Sequence, residues 1–296
     1  MAFETLAGNK KTKELLNTII KQNKFLHSYM FVGQSGIGKM LYAKEFSKRA
    51  MCLNREEICN KCKSCLEFDN NNHPDFFVIE PDGNSIKIEQ IRELTNKIIE
   101  KPIVSEKKIY IINNAYLMTR EAQNCLLKTL EEPPEFAIII LIVENEGNIL
   151  NTIKSRCTKI YFENISDIEM KKLLEKKYGT LNLSDNMLKS FNGSMEKATK
   201  IMENKEFYNK IENIFSNIEK TSRINLLNND EIYKNKENID EILDYINIIF
   251  WNKLQENHKY INCLNIVQEA RNRLARNANF DMTIDNMLIK IWEEIT

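Results

Sequence analysis

Residues 28–39 read Ser-Tyr-Met-Phe-Val-Gly-Gln-Ser-Gly-Ile-Gly-Lys, a short apolar run that passes directly into G-x-x-x-x-G-K and then into helical sequence. No other feature restricts the fold so strongly. Glycines let backbone N–H groups curl around a polyphosphate, the following helix N-terminus adds partial positive charge, and a lysine reaches the outer phosphates. Gly33, Gly36, Gly38 and Lys39 are therefore the expected nucleotide-binding residues. A strand feeding such a loop belongs to a parallel sheet flanked by helices. The pattern repeats: Phe76–Ile79, Lys108–Ile112, Ala137–Val143 and Lys159–Phe162 join Ser28–Val32 as strands, separated by helical or turn-like stretches. After residue 162 the strands stop and one amphipathic helix follows another, with Asn225–Asn238 reading as a loop or poorly packed helix.

Two defects accompany the loop. Position 40, where a serine or threonine hydroxyl would hold Mg²⁺, is Met40, and a thioether is a poor ligand for a hard cation. After the Lys108–Ile112 run, Asn113-Asn114 stand where a hydrolysing enzyme needs acidic groups, and asparagine cannot act as a general base. Nucleotide binding stays open; hydrolysis is expected to be crippled.

Seven cysteines without a secretory leader point to a reducing, cytoplasmic setting, and no apolar run is long enough to span a membrane. Cys52, Cys59, Cys62 and Cys65 form C-x6-C-x2-C-x2-C. Four close thiolates suit a structural Zn²⁺ with no open position. Iron–sulfur ligation is the second reading, weakened by the missing x3-C-P, and incidental burial the third. Cys125, Cys157 and Cys263 read as packing residues, and His73 as a turn or packing residue. The 296 residues are 43% hydrophobic, which excludes wholesale disorder. Lys+Arg and Asp+Glu both number 42, so the chain lacks the basic excess of a protein that holds nucleic acid unaided.

Four motifs together carry a resemblance. The cysteine cluster is followed by His73-Pro74-Asp75; Leu126-Leu-Lys-Thr-Leu-Glu-Glu-Pro-Pro134 is a helix signature; Ser155-Arg156-Cys157 precedes the fifth strand; Gly193-Ser194 opens a later helix. In these the chain resembles the bacterial DNA polymerase III clamp-loader subunits of the AAA+ ATPases, most of all the delta-prime family. The resemblance implies three domains: an α/β AAA+ nucleotide-type domain over 1–164 with a zinc insert at 52–75, a helical lid over 165–206, and an all-α collar over 207–296. It implies a non-hydrolysing stator that places Arg156 as a finger, in trans, on ATP held by a neighbouring subunit. The implied partners are gamma/tau and delta subunits in a hetero-oligomeric ring, with the sliding clamp and primed DNA reached through the complex. No ATPase activity of its own is then expected, only membership of a DNA-directed DNA polymerase holoenzyme. Met40, Asn113 and Glu196, the last where a motor subunit carries a phosphate-sensing arginine, separate it from the gamma/tau motors. A working gamma/tau-type motor is the alternative. A DNA-touching zinc loop is a third reading, opposed by Glu56, Glu57 and Glu67 around Lys61 and Lys63.

Overall fold

A computed structural model of the chain describes residues 3, 6–54, 59–227, 231–255 and 257–296. Glu56 and Glu57, and residues 228–230 of the Asn225–Asn238 stretch, lie outside the described residues. The chain divides into two compact units, residues 1–169 with 193–195, and residues 170–192 with 196–296.

The first unit is built on five parallel strands: β1 (Ser28–Val32), β2 (Phe76–Ile79), β3 (Lys108–Ile112), β4 (Ala137–Val143) and β5 (Thr158–Tyr161), in the order β2-β3-β4-β1-β5. β5 begins one residue earlier than the sequence pattern indicates. Its pairing with β1 runs Tyr29↔Thr158 to Val32↔Tyr161, so Phe162 falls past the ladder, although its N–H still donates to the Val32 carbonyl at 2.8 Å.

Alternation along each strand separates two apolar layers. On one face Tyr110, Ile112, Ile139 and Leu141 meet Ile91 and Leu94 of α4 (Ile88–Lys97) and Leu126 and Leu130 of α5 (Arg120–Glu131). On the other, Phe31, Ile109, Ile111 and Ile140 meet Leu16 of α1 (Lys10–Lys21) and Tyr42 and Phe46 of α2 (Lys39–Met51). β4 is buried along its whole length, as its unbroken apolar sequence requires. The start of α5 is capped by Thr119, whose Oγ1 accepts from the Ala122 N–H at 3.2 Å.

The second unit is helical. Within it, Glu212 accepts hydrogen bonds from Ser184 (2.7 Å), Asn186 (2.7 Å) and Tyr245 (2.8 Å), tying together the helices Asp185–Phe191, Lys205–Ser216 and Ile239–Leu254. The stretch from residue 225 contains short helical turns, Arg223–Leu227 and Glu231–Lys234, in which Leu226 and Ile232 are buried. Burying one large apolar residue per turn is enough to hold such a segment against the loop propensity of its asparagines. Among the described residues no helix is long and apolar enough to cross a membrane.

Candidate functional site

The phosphate-type loop occupies the turn between β1 and α2. Gly36 (φ 75°) and Gly38 (φ 94°) adopt left-handed conformations that residues with a Cβ avoid. Gly33 is required for a different reason. A Cβ there would stand 2.7 Å from the Phe162 carbonyl oxygen and 2.8 Å from Ile37 Cδ1. The carbonyl belongs to backbone bonded to β1 and cannot retreat. Gly33→Ala is expected to cost about 2–3 kcal/mol, read as a lowered thermal unfolding midpoint; an unchanged midpoint would mean the loop is free to shift from β5.

Lys39 is buried, and its ammonium is turned into its own loop, donating to the carbonyls of Gly33 (2.5 Å) and Gln34 (2.6 Å). Burial lowers its pKa to about 8, a shift that Glu144 partly opposes. The Gly36 carbonyl accepts from the Met195 N–H at 2.9 Å, and Gln34 Oε1 accepts from Asn164 at 2.9 Å. The carbonyls of Gly33, Gln34 and Gly36 thus accept from within the protein. Met40 packs among the apolar residues under α2. Asn113, just past β3, donates to Glu80 at 2.9 Å. Glu80 and Glu144 follow β2 and β4 at this end of the sheet, whereas the two residues directly after β3 are both asparagine. Glu80 carries no motif and escapes a sequence reading.

Arg156 lies elsewhere. It precedes β5, and its carbonyl accepts from Ser28 Oγ, at the start of β1, at 2.6 Å. The loop leaves the other end of β1, roughly 16 Å away along a five-residue strand. The structure does not bring Arg156 and Lys39 together. The Arg156 side chain is about one-third exposed, its Nη2 2.8 Å from Glu131 Oε1 and its Nη1 donating to the Thr152 carbonyl at 2.9 Å.

The four cysteines converge at the far end of α2 from the loop. Cys52 follows α2, and Cys62 caps α3 (Lys63–Asp69), which carries Cys65. All four Sγ atoms lie within 4.8 Å of one another, with Cys52–Cys59 at 3.6 Å and Cys59–Cys65 at 4.0 Å. A tetrahedron of thiolates on zinc has an edge of about 3.8 Å, so the donor set fits that ion. The N–H groups of Lys61 and Cys62 hold Cys59 down at about 6, whereas burial pushes Cys52 and Cys65 up.

His73 is not a further ligand. Ser64 Oγ donates to the Met51 carbonyl (2.7 Å) and so accepts from His73 Nε2 (3.0 Å), while His73 Nδ1 accepts from the Asp75 N–H (3.1 Å). Both ring nitrogens are committed, and the ring is neutral with its proton on Nε2. Asp75, fully buried, accepts from the N–H groups of Ile103 (2.7 Å), Val104 (2.8 Å) and Ser105 (3.0 Å). His73-Pro74-Asp75 thus joins the cysteine cluster to the sheet and to the segment leading into β3.

A family model described as DNA polymerase III, delta subunit, matches residues 8–166, just over half of the chain. The chain belongs to the DNA polymerase III delta subunit family. It is 34% identical over 201 residues to DNA polymerase III subunit delta' of Bacillus subtilis, covering 67% of this chain and 60% of that protein. It is also 33% identical over 175 residues to subunit gamma/tau of Mycoplasma pneumoniae, covering 58% of this chain and 26% of that protein. The chain thus spans less than two thirds of the length of these relatives. A variant of RuvB from Thermotoga maritima aligns with 98% of this chain and 89% of its own at TM-score 0.51 and 13% identity, a likeness of fold alone.

Proposed function

We propose that the chain is a delta-prime-type stator of the clamp loader of DNA polymerase III: a subunit that hydrolyses no ATP and supplies Arg156 to the outer phosphate of ATP on a neighbouring gamma/tau-type subunit. The observation that carries this reading is the separation of the two charged groups. Lys39 is consumed by its own loop, and Arg156 stands at the opposite end of β1, too far to serve nucleotide bound at that loop. An arginine so placed either serves another chain or only pairs with Glu131 of its own. In trans, a guanidinium stabilises the charge that develops on a transferring phosphoryl group. The cysteine cluster is read as a structural zinc site, with Cys52, Cys59, Cys62 and Cys65 as its ligands. Residues 165–206 and 207–296 are read as lid and collar, and gamma/tau, delta, the sliding clamp and primed DNA as the partners of the assembled complex.

Identity to gamma/tau proteins supports a second reading, a motor subunit. The two are separated by ATP turnover of the reconstituted complex, stimulated by clamp and primed DNA, with one change at a time in this chain. Arg156→Ala is expected to slow the one site it serves by ~10³-fold or more, and Lys39→Ala to leave turnover within about twofold. The reverse pattern would make this chain a motor.

A further inference from the structure

The geometry points to Glu131 as the positioning residue of Arg156. This rests on the finger reading of Arg156 and adds the group that holds it in aim. Glu131 is the last residue of α5, the end of a helix where the macrodipole disfavours an acid. Its partner there is a cation from a different element: Glu131 Oε1 lies 2.8 Å from Arg156 Nη2. Two further acceptors take the adjacent nitrogen, the Thr152 carbonyl at 2.9 Å and Ser155 Oγ at 3.4 Å from Nη1.

The planar guanidinium has five N–H donors in a fixed fork. Three are used by Glu131, Thr152 and Ser155. The Nε–H and one Nη2–H have no partner among the described residues, and the side chain is 34% exposed. Glu131 and the turn before β5 therefore grip one part of the fork and leave two donors for a bidentate anion, the form in which arginine meets a phosphate. Without Glu131 the long side chain is held only through Nη1, and a loosely aimed donor loses much of its effect on a transition state. What matters is an acceptor at this place rather than a negative charge. A carboxylate close to a bound phosphate brings some repulsion, and a neutral amide oxygen would make the same hydrogen bond.

The test is ATP turnover of the reconstituted complex, with clamp and primed DNA, carrying Glu131→Ala, Glu131→Gln, Arg156→Ala or the Glu131→Ala/Arg156→Ala pair in this chain. At the ATP site served by Arg156, Glu131→Ala is expected to lower kcat about three- to tenfold with KM for ATP unchanged, and Glu131→Gln to stay within about twofold of the unaltered complex. In the Arg156→Ala background Glu131→Ala is expected to change nothing more, because its effect passes through the arginine. The unfolding midpoint of each variant chain serves as the control for folding. If Arg156→Ala slows turnover while Glu131→Ala leaves it unchanged, raises it, or adds a further loss to Arg156→Ala, the assignment of Glu131 is overturned. If Arg156→Ala itself has no effect, it is the finger reading that fails.

Discussion

Cys65→Ser is expected to abolish metal binding and to lower the unfolding midpoint of the chain by about 10 °C. Cys65 is fully buried and carries one of four sulfur atoms within 4.8 Å of one another. A hydroxyl in its place is a weak ligand, and three thiolates without a fourth donor leave an incomplete tetrahedron. Structural zinc contributes about 10–16 kcal/mol of apparent binding energy in small zinc-folded peptides. The loss here is smaller, since α3 keeps other anchors: Phe68 packs on Phe76 with ring centroids 4.5 Å apart, and Lys48 pairs with Asp69 at 2.7 Å. Elemental analysis of the unaltered chain is expected to find about one zinc per chain, and of the Cys65→Ser chain close to none. Iron with visible absorption would favour a cluster instead, and no metal in the unaltered chain would refute both readings. The thiols add a pH dependence. Burial favours the protonated forms of Cys52 and Cys65, so binding must displace protons, and affinity is expected to weaken as pH falls.

Asp75→Asn is expected to cost about 3–5 kcal/mol at neutral pH, measured by denaturant unfolding. The carboxylate receives N–H bonds from three successive residues, with the Ser105 hydroxyl at 3.3 Å from Oδ2. An asparagine amide of the same shape must point a donor at another donor on one side. Burial raises the Asp75 pKa, but the N–H groups of Ser105, Ile103 and Val104 outweigh it, and the value falls below the ordinary 3.8. The folded chain therefore binds this proton less readily than the unfolded chain. The contribution is complete above about pH 4 and is lost as pH falls through the folded value. Acid titration of stability is expected to show that loss in the unaltered chain and to lack it in Asp75→Asn; equal slopes would mean that other carboxylates govern acid unfolding.

These two sites show which kind of information a sequence carries. The five strands are legible because a strand covered on both faces must be apolar throughout, as Ala137–Val143 is, and the loop because left-handed turns demand glycine at Gly36 and Gly38. The cysteine quartet declares itself through spacing, which a helix and a turn convert into proximity with little help from the rest of the chain. Met40 and Asn113 carry their message in residue type alone, because a thioether and an amide cannot be made into a hydroxyl and a carboxylate by any fold.

Other features exist only once distant segments meet. That Asp75 gathers the amides of residues 103–105 follows from β2 and β3 lying side by side, 28 or more residues apart in sequence. That Arg156 stands on Glu131 and away from Lys39 follows from the parallel sheet, in which all strands start at one end and finish at the other. Residue types and local spacing determined which chemistry this protein can perform. Tertiary structure decided where each charge points, because direction is a property of packed elements and not of the residues taken one by one.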